Sequence, residues 1–312
     1  MTCHQSADLQ ACPLGQRRGD PRASAALGSR NRRLPDDDGT IEAVNSQLRL
    51  RPGVLASVAV LSLEPLILQG SNLAASGGGA EIAILQNGYL QWLESVDRVL
   101  HSYFESSWVW EELYSRPWEQ IRALTAAAPR PYPLISDEAR VQTERLASIV
   151  ERLKGSQMQF ELPPECAAAV PDTSVFLHYQ FFRDVNWPKV VQAKEVRLVV
   201  PLLVVEQLDR QSYESRPFKA RARAVLHALH DLQEGLPTPE APAEVRSRVT
   251  LQLLMDPPSH NRRENEDDEL LDRAEYLSSM ANAQRPVVVT RDLGMDLKAR
   301  LRKLDSLYLL DK

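Results

Sequence analysis

The spacing of apolar positions changes partway along the chain. Over residues 81–155 they recur every three to four residues: Tyr89, Trp92/Leu93, Val96, Val99/Leu100 and Tyr103/Phe104. That spacing lines one face of an amphipathic helix. Trp108, Trp110, Trp118 and Ile121 follow, with Pro117 breaking the run. A proline-rich connection, 126–134, leads to Ser136, which reads as an N-cap with Asp137 and Glu138 in the first turn. Val141, Leu146, Ile149/Val150 and Leu153 give a second face, and Gly155 reads as a C-cap. The expectation is a helical hairpin or small bundle whose aromatics pack its own core. "ELPPE" (161–165) reads as a linker out of it.

The second half alternates. Short apolar runs at 167–171, 197–200, 248–254, 287–290 and 306–310 read as strands. Helical patterns separate them, at 188–195, 203–211, 219–234, 267–283 and 295–304. Strands alternating with helices predict a parallel sheet with crossover helices on its faces. Two proline-containing stretches, 234–244 and 255–266, read as loops. The fold class is therefore α/β, preceded by an α-helical N-terminal domain. The division is a tail at 1–47, a helical domain at 48–165 and an α/β domain at 166–312.

The remaining stretches change this picture little. Residues 1–47 are rich in Arg, Ser, Gly and Pro and carry little that can bury a core. "GVLASVAVLSLEPLILQG" (53–70) is apolar, but Glu64-Pro65 interrupts it before the roughly 20 residues a span requires. It is expected to be a short buried helix or strand rather than a membrane segment. "GGG" at 77–79 reads as a loop. The 312 residues are 43% hydrophobic and 25% charged, ordinary for a soluble globular chain of about two domains. Cys3, Cys12 and Cys166 are odd in number and widely spaced, so no disulfide framework or zinc site is legible, and the cytoplasm is the expected compartment. A net charge of -5 lends no global basic signature, though a local basic groove is compatible with it.

The candidate chemistry lies at the strand ends. In open α/β sheets, ligands bind at the carboxyl ends of the strands. Asp172 follows the first strand, and Glu206 follows "RLVVPLLVV". Asp267 and Asp268 open the helix "DDELLDRAEYL", and Asp292 follows "VVVT" by one residue. Each acid alone has a structural reading: Asp267 and Asp268 as helix-start charges, Glu206 as a partner of Arg210. Together they bring four elements' carboxylates to one sheet edge. Converging carboxylates repel, and a hard divalent cation such as Mg2+ or Mn2+ relieves that repulsion. Two such ions are a common apparatus for phosphodiester hydrolysis.

Four segments in order, "VPDTSVFLHY", "VPLLVVEQLDRQ", "EDDELLDRAEYL" and "PVVVTRDLGMDLKAR", resemble the PIN domain, over residues 167 to 311. The resemblance implies a metal-dependent nuclease acting mostly on RNA and leaving a 5′-phosphate and a 3′-hydroxyl. It implies Asp172, Glu206, Asp267 and Asp292 as catalytic metal ligands, with Asp268 and Asp296 as further acids. Thr173, Ser174 and Thr290 match its hydroxyl positions, expected to orient ligands or a phosphate oxygen. One position departs: where the family often has Asn before the paired Asp, this chain has Glu266. A PIN fold that binds RNA or a protein without cutting, and the toxin of a toxin–antitoxin pair, are the alternatives.

Rival readings of the same architecture lack their motifs. A haloacid-dehalogenase-type phosphatase requires a second Asp two residues after Asp172, where Ser174 stands. A receiver domain requires paired acids just before the first strand, and "ELPPEC" does not supply the pair. "GSNLAASGGGAE" lacks the Gly-Lys-Ser/Thr of a P-loop. For the nucleic acid, expected to be single-stranded RNA, Arg262 and Arg263 stand in a loop predicted to overhang the site. Arg216, Lys219, Arg221 and Arg223 form a second basic group, and Lys298, Arg300, Arg302 and Lys303 a third. Tyr179, Phe181 and Phe182 read as core more than as stacking platforms. The helices of the N-terminal half are a candidate surface for a protein partner.

Overall fold

A computed structural model describes residues 48–76, 81–125, 130–214, 217–257, 260–281 and 285–310. The tail at 1–47, the "GGG" loop and Arg216 lie outside the described residues. The chain opens with α1 (Ala56–Ala75), α2 (Ile82–Tyr103), α3 (Trp108–Glu111), α4 (Arg116–Arg122) and α5 (Pro131–Gln159). The stretch expected to be short is a 20-residue helix, α1, that continues through Pro65. Ala56, Ala59, Val60, Leu63, Leu66 and Gly70 form its buried face and pack on α5 and α2. Gly70 sits at the closest approach: a Cβ there would run into Thr143 Oγ1 and the Trp92 ring. The helix is long and apolar enough to cross a membrane, yet this inner face is sealed within the bundle.

The predicted face of α2 is buried as expected: Tyr89, Trp92, Leu93, Val96 and Leu100, with Phe104 at its end. Pro117 opens α4 rather than ending a helix, since its missing N–H would be unpaired in a first turn anyway. For the same reason α5 starts at Pro131, not at Ser136. Ser136 lies inside it and donates to the Tyr132 carbonyl at 2.9 Å. Gly155 is likewise internal, and Val141 is exposed while Ala139, Gln142 and Thr143 are buried.

From residue 166 the chain builds one six-stranded sheet in the order β3-β4-β2-β1-β5-β6. The strands are β1 (Cys166–Pro171), β2 (Glu195–Pro201), β3 (Ala243–Arg246), β4 (Val249–Leu254), β5 (Val287–Thr290) and β6 (Asp305–Tyr308). β1 pairs in parallel with β2 on one side and β5 on the other, so strand order reverses at β1. β3 is antiparallel to β4 and lies partly in the stretch expected to be the loop 234–244. It is a four-residue edge strand with one fully buried residue, too short to show an alternating pattern. The helices are α6 (Thr173–His178), α7 (Trp187–Val191), α8 (Leu202–Glu214), α9 (Lys219–Gln233), α10 (Glu266–Met280) and α11 (Leu293–Leu301). The helix expected at 188–195 is therefore short, and Glu195 already belongs to β2. β1 and β2 read as continuous apolar runs because both lie inside the sheet and are covered on both faces.

α10 joins the two halves, packing against α1 and α5. Phe160 meets Tyr276 edge-on with centroids 6.2 Å apart. Gln252, buried on β4, donates to the Gln159 carbonyl at 3.0 Å. Arg49 ion-pairs with Asp272 and, at 2.9 Å, with Glu105.

Candidate metal-binding active site

At the carboxyl ends of β1 and β5, where strand order reverses, a cavity of about 280 Å³ opens. Its lining includes Asp172, Glu266, Asp267 and Asp292, against one cation, Arg210. Thr173, Ser174, Gln207 and Gln211 supply further polar atoms.

Asp172 is placed by the backbone. β1 ends at Pro171, and Asp172 is the N-cap of α6, accepting the Val175 N–H at 3.0 Å. Its two oxygens accept from Ser174 Oγ at 2.6 Å and from the Thr290 hydroxyl. Thr290, fully buried at the end of β5, also accepts the Asp292 N–H at 2.9 Å, so one hydroxyl ties two strand-end acids together. Ser174 accepts the Arg291 N–H at 2.9 Å in the same way. Only 5% of Asp172 is exposed. Burial pushes its carboxyl above the ordinary range; the three hydrogen bonds oppose this, and the nearby Asp292 charge adds to it.

Asp292 caps α11, its Oδ1 accepting from Gly294 N at 2.6 Å and Met295 N at 3.3 Å. Asp267 stands in the first turn of α10, whose N-cap is Asn265, and pairs with Lys298 Nζ at 3.2 Å. α8 contributes Gln207, Arg210 and Gln211, spaced i, i+3 and i+4 along one face. Gln207 accepts from the Thr173 hydroxyl and donates to Glu266 at 2.7 Å, and Arg210 ion-pairs with the same Glu266 carboxylate. Burial pushes Glu266 up, but the bonds from Arg210 and Gln207 and the charges of Arg210 and Arg262 hold it below the ordinary range.

Several expected site residues stand elsewhere. Glu206 is exposed, a 100° step round α8 from Gln207, and is held by Arg262, with one contact at 3.0 Å. Arg262 also bonds Asp256 at 2.6 Å, and the Glu206 and Asp256 bonds raise its guanidinium pKa against the opposing effect of burial. The loop expected to overhang the cavity thus commits its first arginine to Glu206 and Asp256, outside the cavity lining. Arg263 turns to Asp272 at 3.3 Å. Asp268 pairs with Arg302 at 3.0 Å and lines a different hollow, against Arg49, Arg263 and Glu275. Asp296 is buried away from the cavity, accepting from Ser306 Oγ at 2.7 Å and pairing with Arg300 at 2.9 Å. Arg221 spends its guanidinium on the Phe176 and Tyr179 carbonyls at 2.9 and 2.7 Å. Lys219 opens α9, away from the cavity lining. Phe182 is buried.

The sequence reading missed Glu266, Gln207 and Arg210. A signal existed on α8. Val204, Leu208 and Ser212 are buried at i, i+4 and i+8, and Gln207 and Gln211 flank them, while Glu206 falls on the outer side with Asp209 and Tyr213.

Among the described residues, the group of three whose ligand atoms lie within 4.8 Å of one another, and which could hold a metal ion, is not in this cavity but is Asp256, His260 and Glu269. It is already matched by charge within the protein: Arg262 sits on Asp256, and Arg273 lies 3.5 Å from Glu269, which also meets His260 Nε2 at 2.6 Å. The cavity at the β1 and β5 ends differs in having carboxylates in excess. Its donors are all oxygen, the set that suits Mg2+ or Mn2+, so the residues fit a divalent cation there.

A family model described as PIN domain matches residues 169–308. Residues 169–308 are therefore PIN-like, with a helical extension before them, and the match spans the strands and helices that build the cavity. PIN domains are generally nucleases and typically bind divalent metals. No curated protein matches the chain.

Proposed function

We propose that the protein is a Mg2+- or Mn2+-dependent nuclease that hydrolyses phosphodiester bonds of single-stranded RNA. The observation that carries this reading is the excess of carboxylate in a polar cavity at the strand-order reversal of a PIN domain. Asp172, Asp267 and Asp292 would hold the metal. When bound, a divalent cation supplies an activated water and neutralises charge on the scissile phosphate. The chain's own residues do the rest. Ser174, Thr290 and the Val175 N–H hold Asp172 in one orientation, so its oxygens are aimed before any ligand arrives. Arg210 and Lys298, which pair with Glu266 and Asp267, would contact phosphate oxygens.

One observation favours a second reading, a PIN fold that binds nucleic acid without cutting it: α8 presents an amide, Gln207, to the cavity rather than an acid. A cleavage assay separates the two. The full chain is incubated with end-labelled single-stranded RNA, single-stranded DNA and duplexes, in Mg2+, Mn2+ or EDTA. Metal-dependent cleavage of RNA supports the nuclease. Retention of RNA on a filter without cleavage in any metal supports the binding module.

A further inference from the structure

The cavity receives side chains from four places: the end of β1, the end of β5, the start of α10, and α8. Three deliver carboxylates. α8 delivers Gln207, because the adjacent acid, Glu206, is turned outward and spent on Arg262. At the start of α10 the reverse departure occurs: Glu266 stands where the resembling motif often carries an amide. These two departures touch, Gln207 Nε2 donating to Glu266 Oε2 at 2.7 Å. An amide and a carboxylate thus face each other across one gap, and four acids line the cavity.

We infer that Glu266, and not Glu206, is the fourth carboxylate of the metal site, with Gln207 as its positioning residue and Arg210 as the cation that competes for it. This rests on the nuclease reading of the same cavity. Gln207 has a fixed orientation, since its Oε1 accepts from Thr173 and its Nε2 is thereby turned to Glu266. Arg210 meets the other Glu266 oxygen, so the carboxylate is already held beside a positive charge at the cavity wall. Glu206 has no such route inward. Its helix turns it away from Gln207, and two contacts from Arg262 hold it outside.

Mn2+ binding to the full chain tests this, by isothermal calorimetry and by loss of the free-ion electron paramagnetic resonance signal. Circular dichroism and melting of each variant check the fold. Glu266→Gln should weaken Mn2+ binding by at least about tenfold, since even the hydrogen-bond partners of metal ligands cost about 10- to 100-fold. Glu206→Gln should stay within about twofold, an exposed pair being energetically small. Arg210→Met, which keeps the aliphatic stem, should tighten Mn2+ binding by removing the competitor. Gln207→Ala should weaken binding less than Glu266→Gln. Loss of binding in Glu206→Gln with Glu266→Gln unchanged would overturn the assignment, as would equal, undiminished binding in both. No Mn2+ binding by the wild-type chain would overturn the nuclease reading and this inference together.

Discussion

Two stretches of α10 carry dense charge and treat it oppositely. Its first turn sends Glu266 and Asp267 into the cavity, where, among the described residues, four lining acids outnumber Arg210 and Lys298. One turn on, Glu269, Asp272 and Arg273 are buried at 1%, 2% and 0% exposure, and there every acid has a basic partner. Glu269 meets His260 and Arg273; Asp272 meets Arg49 and Arg263. Burying an ion costs several kcal/mol unless it is matched, so the seam between the helical extension and the sheet is built from matched charges. The cavity tolerates excess because it opens to solvent. The lesson is that acid density marks neither region; the ratio of acids to bases does. Arg273 shows the cost of the seam: its guanidinium nitrogens carry no hydrogen bond, burial lowers its pKa, and the carboxylates of Glu269, Asp256 and Asp272 offset only part of that.

The comparison can be broken most severely at the seam. Asp272→Ala leaves Arg49, Arg263 and Arg273 without their shared partner and should cost about 3–5 kcal/mol, read by urea denaturation. A loss below about 1 kcal/mol would mean that the seam charges are not coupled. At the cavity the effect has the opposite sign. Saturating Mn2+, at a hundredfold over its dissociation constant, should stabilise the chain by about 2.7 kcal/mol, and EDTA should remove the gain. Thermal melting reads this, and it should vanish in Asp172→Ala. Within the extension, Gly70→Ala forces α1 away from Thr143 and Trp92 and should cost about 1–3 kcal/mol without changing Mn2+ affinity. Smallest is Glu206→Gln, which removes an exposed ion pair and should shift stability by less than about 1 kcal/mol.

Much of the fold was legible because period and punctuation agree with burial. The apolar runs of β1 and β2 lie inside the sheet, and the i, i+3/i+4 face of α2 is the face that packs. Several boundaries differ for one reason: the identity of a proline, serine or glycine does not by itself say whether it starts, stops or sits inside a helix. Pro117 and Pro131 open helices, Pro65 is absorbed within one, and Ser136 back-bonds inside α5. β3 was invisible because a four-residue edge strand carries almost no pattern.

At the site, the strand-end acids Asp172 and Asp292 were legible because strand ends fix the residue that follows. The structure places both at the cavity, each capping the next helix. Acids on helices were harder, since a one-residue change rotates a side chain by 100°. That is why Glu206 and Asp268 fall outside the lining while Gln207 and Glu266 fall inside. The arginines were least legible. Arg262, Arg263 and Arg221 are taken up by Glu206, Asp272 and backbone carbonyls, contacts between segments that local sequence does not show.

The measurement that bears most directly on the contrast is a paired one, of Asp172→Asn and Asp272→Asn. Each is assayed for RNA cleavage per folded molecule in Mn2+ and for its melting temperature in EDTA. The account predicts that Asp172→Asn abolishes cleavage and keeps or raises the melting temperature, because a buried, desolvated carboxyl is removed. It predicts that Asp272→Asn melts lower and still cleaves. Cleavage by Asp172→Asn at the wild-type rate, or loss of cleavage by folded Asp272→Asn, would contradict it.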